Sequence, residues 1–126
     1  MIAMATKTVS DCQQRQFSLC PKFQKTFMIL GKKWNGLIVD VLLEDGDQRF
    51  KDLAQKIPKC SDRVLVERLK ELEQENIVTR KTYPNSSLIK YGLTQQGQDL
   101  DQVMTAVHGW ADQWLDVSTC VEELTH

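Results

Sequence analysis

The sequence has 126 residues, 41% hydrophobic and 26% charged, with a formal net charge of −1, which suits one compact soluble domain and gives no general attraction to nucleic acid. No apolar run approaches the roughly 18 residues that a membrane span needs, and the N-terminus lacks a charged-then-apolar export pattern, so a cytoplasmic protein without membrane contact is expected. No nucleophile with a spaced base, no paired carboxylates and no phosphate-cradling glycine loop appear, so an enzyme is not expected.

The distribution of charge says more than its total. Between Lys22 and Lys90 there are fourteen basic against ten acidic residues, a net +4, and the two ends together carry −5. A polyanion would dock on the middle of the chain.

Residues 1–19 are polar and patternless and read as a flexible arm. Cys20-Pro21 then opens a helix, since proline suits a first helical position, with Phe23, Phe27 and Leu30 on one face and a stop near Gly31. Trp34, Leu37, Ile38, Val41 and Leu42 give a second amphipathic helix, ending in the acidic turn Glu44-Asp45-Gly46-Asp47. Gln48-Arg49 is long enough only for a minimal strand.

Phe50, Leu53, Ala54 and Ile57 recur at helical spacing, and Pro58-Lys59-Cys60 interrupts them. Ser61 is a good N-cap for the next helix, without a capping box because Val64 stands three residues on. Leu65, Leu69 and Leu72 share the buried face of that helix. Its outer side carries Arg63, Glu67 and Lys70, with Val66 at the flank. Two helices, a tight turn and a polar outer face make a helix-turn-helix candidate. The residues expected against DNA are Ser61, Asp62, Arg63, Val66, Glu67 and Lys70, with Arg63 suited to guanine and Lys70 to phosphate. An ordinary solvated helix face is the competing reading, and it also explains Glu67 and Glu73.

Ile77 to Tyr83 and Leu88 to Leu93 are β-prone, and Pro84-Asn85-Ser86-Ser87 between them is a turn sequence, so the pair reads as a hairpin. A hairpin after a recognition helix is a winged-helix arrangement, in which Lys81, Lys90 and the tip residues Asn85, Ser86 and Ser87 would follow the DNA backbone or enter a minor groove. Thr94 then caps a long helix whose apolar stripe includes Leu100, Val103, Met104, Val107, Ala111 and Trp114, with Trp110 beside it. A small winged domain offers little spare core to cover it. With Phe23 and Phe27, the residues Val103, Val107, Trp110 and Trp114 are expected to form a two-fold dimer interface that presents two recognition helices to a palindromic duplex. The fold class expected is therefore mainly α with a small β-hairpin, a winged helix-turn-helix with N- and C-terminal dimerisation helices over residues 20–115, followed by a tail over 116–126.

Cys12, Cys20, Cys60 and Cys120 match neither a zinc pattern nor a CxxC pair, and His108 and His126 complete no ligand set, so neither a metal nor a cofactor is expected. Cys20 at a helix N-terminus faces unpaired amides and the positive end of the helix dipole, which favours its reactive thiolate. A simple capping role beside Pro21 is the alternative. Cys60 reads as part of the turn, and Cys120 lies in the tail.

The order Cys20-Pro21, Leu30-Gly31-Lys32-Lys33-Trp34, Arg49-Phe50-Lys51-Asp52-Leu53, Arg68-Leu69-Lys70-Glu71-Leu72-Glu73, Tyr91-Gly92-Leu93-Thr94 and Gly97 resembles the HxlR-type winged-helix regulators, relatives of the bacterial MarR group. Cys20-Pro21-Lys22, Gly36-Leu37-Ile38 and Ala111-Asp112-Gln113-Trp114 are most similar to the thiol-based repressors of that family that sense quinones and other electrophiles. The resemblance implies a dimeric repressor with Cys20 as its sensor. Cys120 is the leading candidate to resolve Cys20 as a disulfide across the dimer. Gly92 stands where serine is more usual, with little effect expected. Two other readings remain open: the same scaffold answering a small ligand, and a winged helix used only for protein contacts.

Overall fold

The computed structural model describes residues 18–125, so the arm expected over residues 1–19 lies almost wholly outside it. The described residues fall into two compact units, 18–36 and 37–125.

The first unit is built on α1 (Pro21–Leu30), with Cys20 at the N-cap, Pro21 in the first turn and Gly31 at the C-cap. The Cys20 carbonyl opens the helix by accepting from Gln24 N at 3.0 Å. None of its residues is buried, and the Phe23 and Phe27 rings pack at a 48° tilt with centroids 4.9 Å apart on an exposed face. The next helix, α2 (Asn35–Asp45), starts one residue later than the apolar spacing suggests. Trp34 does not open it: its backbone is left-handed, φ 81°, with the Lys33 ammonium 5.0 Å from the ring centroid. The corner is set by Asn35, which is 2% exposed and donates from Nδ2 to the Ile29 carbonyl at 2.9 Å. A buried amide that must find an acceptor decides where the helix begins.

The second unit holds the rest of α2, then α3 (Phe50–Lys56), α4 (Asp62–Gln74), strands β1 (Val78–Thr82) and β2 (Ile89–Leu93), α5 (Gln95–Gln98), α6 (Asp101–Trp114) and α7 (Val117–Leu124). Its core draws Ile38, Val39 and Leu42 from α2, Leu53 from α3, and Leu65, Leu69 and Leu72 from α4, with Ile77, Val78 and Leu93 from the hairpin base. Each such aliphatic side chain contributes roughly 1.5–3 kcal/mol on burial.

Both ends of α4 are fixed by local chemistry. Ser61 Oγ accepts from Val64 N at 3.2 Å. At the other end Asn76 is left-handed, φ 61°, and Ile77 N and Asn76 N donate to the carbonyls of Leu72 and Glu73 at 2.9 and 3.0 Å. This double bond pattern is a Schellman stop, and it turns the chain directly into β1.

The strands pair antiparallel, with Val78 opposite Leu93 and Lys81 opposite Lys90. Gln48 adds a single bridge to Tyr91, so the minimal strand expected at Gln48-Arg49 is one residue long.

Thr94 does cap a helix, but not the long one. Its Oγ1 accepts from Gly97 N at 3.1 Å and donates to the Asn76 carbonyl at 2.6 Å, which ties α5 to the stop of α4. Gly97 presses against the Ile77 carbonyl, where a Cβ would not fit. A tight turn, with Leu100 N donating to Gly97 O at 3.1 Å, then separates α5 from α6. The C-terminal stretch read as a tail is helical: Asp116 caps α7 by accepting from Ser118 N at 2.9 Å, and Lys59 Nζ donates to the Leu124 carbonyl at 3.0 Å. No described helix is long and apolar enough to cross a membrane.

Leu69 is 1% exposed at the centre of the α4 face. Leu69→Ala should lower unfolding stability by about 2–5 kcal/mol, the range for a buried leucine cavity. Urea denaturation checks it, and a loss under 1 kcal/mol would mean that this face is not the centre of the core.

Candidate nucleic-acid interface

The recognition-helix geometry follows from the burial of one α4 face. With Leu65, Leu69 and Leu72 turned inward, Arg63, Val66, Glu67 and Lys70 are left exposed on the other side. The Arg63 side chain is 89% exposed and held only by a 3.8 Å approach to Glu67. Such a surface pair is worth at most a few tenths of a kcal/mol to about 1, so the guanidinium is free to exchange Glu67 for another acceptor. Ser61 and Asp62 stand at the start of the helix, where exposed backbone amides favour an anion. The Ser61 oxygen is spent on the cap, leaving its hydroxyl hydrogen available to donate.

The hairpin is fixed to the rest of the unit at two points. One is the Asn76 stop. The other is Gln48, whose N donates to Tyr91 O at 2.9 Å while its own carbonyl accepts from Tyr91 N at 2.7 Å. The Gln48 side chain, 9% exposed, donates to the Asp45 and Asp47 carbonyls at 3.2 and 3.1 Å and accepts from Lys56 Nζ at 2.9 Å. One residue thus joins the end of α2, the end of α3 and the wing. At the wing tip Asn85 is left-handed, φ 58°, and Ser86 Oγ accepts from Leu88 N at 3.0 Å. Asn85, Ser86 and Ser87 are all exposed.

The family pattern of the HxlR-like helix-turn-helix matches residues 29–119. The chain belongs to the HxlR-like helix-turn-helix family. It is 44% identical over 109 residues to the HTH-type transcriptional regulator YodB of Bacillus subtilis, covering 84% of this chain and 96% of that protein. Quinone-bound YodB from B. subtilis superposes with a TM-score of 0.68 at 47% identity, covering 76% of this chain and 100% of that one. The reduced form of the redox regulator HypR gives a TM-score of 0.70 at 28% identity, covering 79% and 98%. The protein is therefore a transcriptional regulator of the winged helix-turn-helix type, and DNA is the partner that this architecture implies.

Within the family frame, the wing of this chain holds a feature that sequence reasoning missed. Lys81 and Lys90 are cross-strand neighbours, a like-charge arrangement that is unfavourable by itself. Asp47 resolves it by accepting from Lys81 Nζ at 2.7 Å. That hydrogen bond, opposed next by desolvation and reinforced by the charge of Asp47, holds the Lys81 ammonium above its ordinary pKa. Gly92 is what admits Asp47: a Cβ at position 92 would collide with the Asp47 carboxylate. A serine at position 92 would require the flexible Asp47 carboxylate to shift. Lys90 is left as the wing cation among those expected to reach phosphate.

Among the sensing candidates, neither Cys60 nor Cys120 is in a disulfide; Cys60 is buried and Cys120 is half-buried on α7. Cys20, half-buried at the start of α1, is disulfide-bonded in this structure. Of the residues expected at a dimer seam, Phe23, Phe27, Val103, Val107, Trp110 and Trp114 are all exposed, the last at 66%.

Replacing Asp47 by Asn should release Lys81 for phosphate and steepen the dependence of log K on log salt by about 0.9, one counterion per contact. Titrating duplex binding across salt concentrations measures this. An unchanged slope would show that Lys81 does not reach the backbone even when released.

Proposed function

We propose that the protein is a homodimeric, sequence-specific repressor that binds a palindromic operator and is released when Cys20 is oxidised or alkylated. The observation that carries DNA reading is the fixed pairing of an exposed α4 outer face with a wing anchored through Gln48. Arg63 and Val66 would face bases, Lys70 and Lys90 phosphates, and Asn85 to Ser87 the groove beyond. A regulator that acts on bacterial DNA would work in the cytoplasm.

Dimerisation is supported by exposed apolar surface that one chain leaves uncovered. Helices α1, α6 and α7 have no buried residues at all, although each carries large apolar side chains. Exposed patches of this kind mark contact surfaces. A second copy brings two recognition helices to half-sites about 34 Å apart, one DNA turn.

The switch is supported by position and by likeness. Cys20 is the N-cap of α1 and offers no side-chain hydrogen bond to it, so on reduction its thiol lies beside helix amides that favour a thiolate. The structural relatives include quinone-bound YodB and the redox regulator HypR. In the proposed cycle a peroxide transfers one oxygen to the Cys20 thiolate, giving a sulfenic acid and leaving as an alcohol or water. The Cys120 thiolate of the partner subunit then attacks the Cys20 sulfur, the S–O bond breaks and hydroxide leaves, taking up a proton as water; a quinone would instead add to Cys20 directly.

Two measurements test the reading. Arg63→Ala should weaken binding to the true operator by roughly 1–3 kcal/mol with fold and assembly intact; unchanged affinity would remove Arg63 from base readout. Independently, diamide should release wild-type protein from the operator reversibly with dithiothreitol. Cys20→Ser should bind when untreated and stay bound after diamide; release equal to wild type would place the sensor elsewhere.

A further inference from the structure

Helix α2 carries Asp40 and Glu44 one turn apart, and α6 carries His108 and Asp112 with the same spacing, so each pair shares one helix face. The two faces meet: His108 Nε2 lies 2.9 Å from Asp40 Oδ1. One ligand atom each from Asp40, Glu44 and His108 falls within 4.8 Å of the other two. Among the described residues neither Glu44 nor Asp112 has a salt-bridge partner, and Asp40 has only His108. Three carboxylates thus gather on a single imidazole.

We infer that Asp40, Glu44 and His108 form a binding site for a divalent first-row transition ion, which staples α6 to α2. The donor set is one imidazole nitrogen with two carboxylate oxygens. The imidazole favours zinc-like ions over magnesium or calcium, and the lack of thiolate disfavours Cu(I). Three protein ligands and a water complete a four-coordinate ion, which needs its donors about 3.4 Å apart for bonds of about 2.0–2.1 Å. The present spread of up to 4.8 Å closes by rotation of the exposed Glu44 and His108 side chains. On binding, Nε2 gives up its proton to solvent and turns its lone pair to the metal, while the carboxylates remain ionised.

The proton and the metal compete for one nitrogen, and this gives the site a signature. His108 is held above its ordinary pKa of 6.5, first by the hydrogen bond to Asp40, then by the charges of Asp40, Glu44 and Asp112. The ion binds only as His108 deprotonates, so acid weakens it. Since α2 contributes Ile38, Val39 and Leu42 to the core, the ion would fix the α6 surface against the body that carries α4.

The test is zinc titration calorimetry on the untagged full chain, reduced with a non-chelating reductant, alongside Co²⁺ absorption. We expect one ion per chain at this site, cobalt d–d bands without a thiolate charge-transfer band, and affinity that falls as pH is lowered through the His108 titration. His108→Ala and Glu44→Gln should each weaken zinc by roughly tenfold or more, as loss of one of three protein ligands implies. Circular dichroism confirms folding, and Glu44→Gln, an exposed change outside the His108–Asp40 hydrogen bond, decides the matter if His108→Ala does not fold. Absence of uptake, a thiolate band, or unchanged affinity in the folded variants overturns the site.

Discussion

A wing helps a recognition helix only if the two move as one body, and here that depends on the two-way backbone bond between Gln48 and Tyr91. The sheet is a two-stranded hairpin plus this bridge, and an isolated hairpin is marginal in water. Beside the burial of Ile77, Val78 and Leu93 at its base, what holds it is the convergence on Gln48: bonds to Tyr91 on one side, and side-chain bonds to the end of α2 and to Lys56 on the other. The Schellman stop at Asn76 then sets the angle at which β1 leaves α4. Both constraints are short-range, and together they place Lys90 and the wing tip in a fixed relation to Arg63.

The same chain leaves three helices with no buried side chain. For α6 the exposed set includes Val103, Val107, Trp110 and Trp114, far more apolar area than a solvated helix normally carries. The hydrophobic effect scales with that area, so a partner surface gains what the single chain does not. The exposed apolar residues also explain why α6 needs a polar tether of its own. His108 with Asp40 is the salt bridge found between α6 and the earlier helices among the described residues.

Much of this was legible from periodicity. Leu65, Leu69 and Leu72 repeat at helical spacing, and Ser61 is a strong cap, so α4 and its exposed face followed from local rules that tertiary structure had no reason to override. Local rules failed where a distant partner decides. Trp34 fits the apolar stripe of α2, yet the buried amide of Asn35 moves the start past it. Thr94 fits a cap for the long helix, but its bond to Asn76 and the contact of Gly97 with the hairpin base confine it to α5. Asp47 with Lys81, and Asp40 with His108, are 34 and 68 residues apart; no spacing rule reaches that far. The α7 helix was missed because it is short and follows a tryptophan-rich stripe that appeared to end the pattern, while the capping Asp116 was the available signal.

Helicity at the C-terminus bears on how the proposed disulfide would release DNA. Cys120 sits on α7, and the next turn of that helix is tied by Leu124 to Lys59, beside the turn that precedes α4. A pull on Cys120 could in principle reach the recognition helix along that route. Magnitude argues against it, since an exposed hydrogen bond is worth about 0.5–1.5 kcal/mol. Shifting a bound population from 99:1 to 1:99 requires about 5.5 kcal/mol, so the Lys59 bond would break before it turned α4. What can supply that energy is the mismatch of two rigid half-site readers against a duplex with a repeat of about 34 Å. Under the proposed switch, rigidity of the Gln48-anchored unit would then be the requirement for release as well as for binding, because a winged domain that deformed easily would follow the operator instead of leaving it.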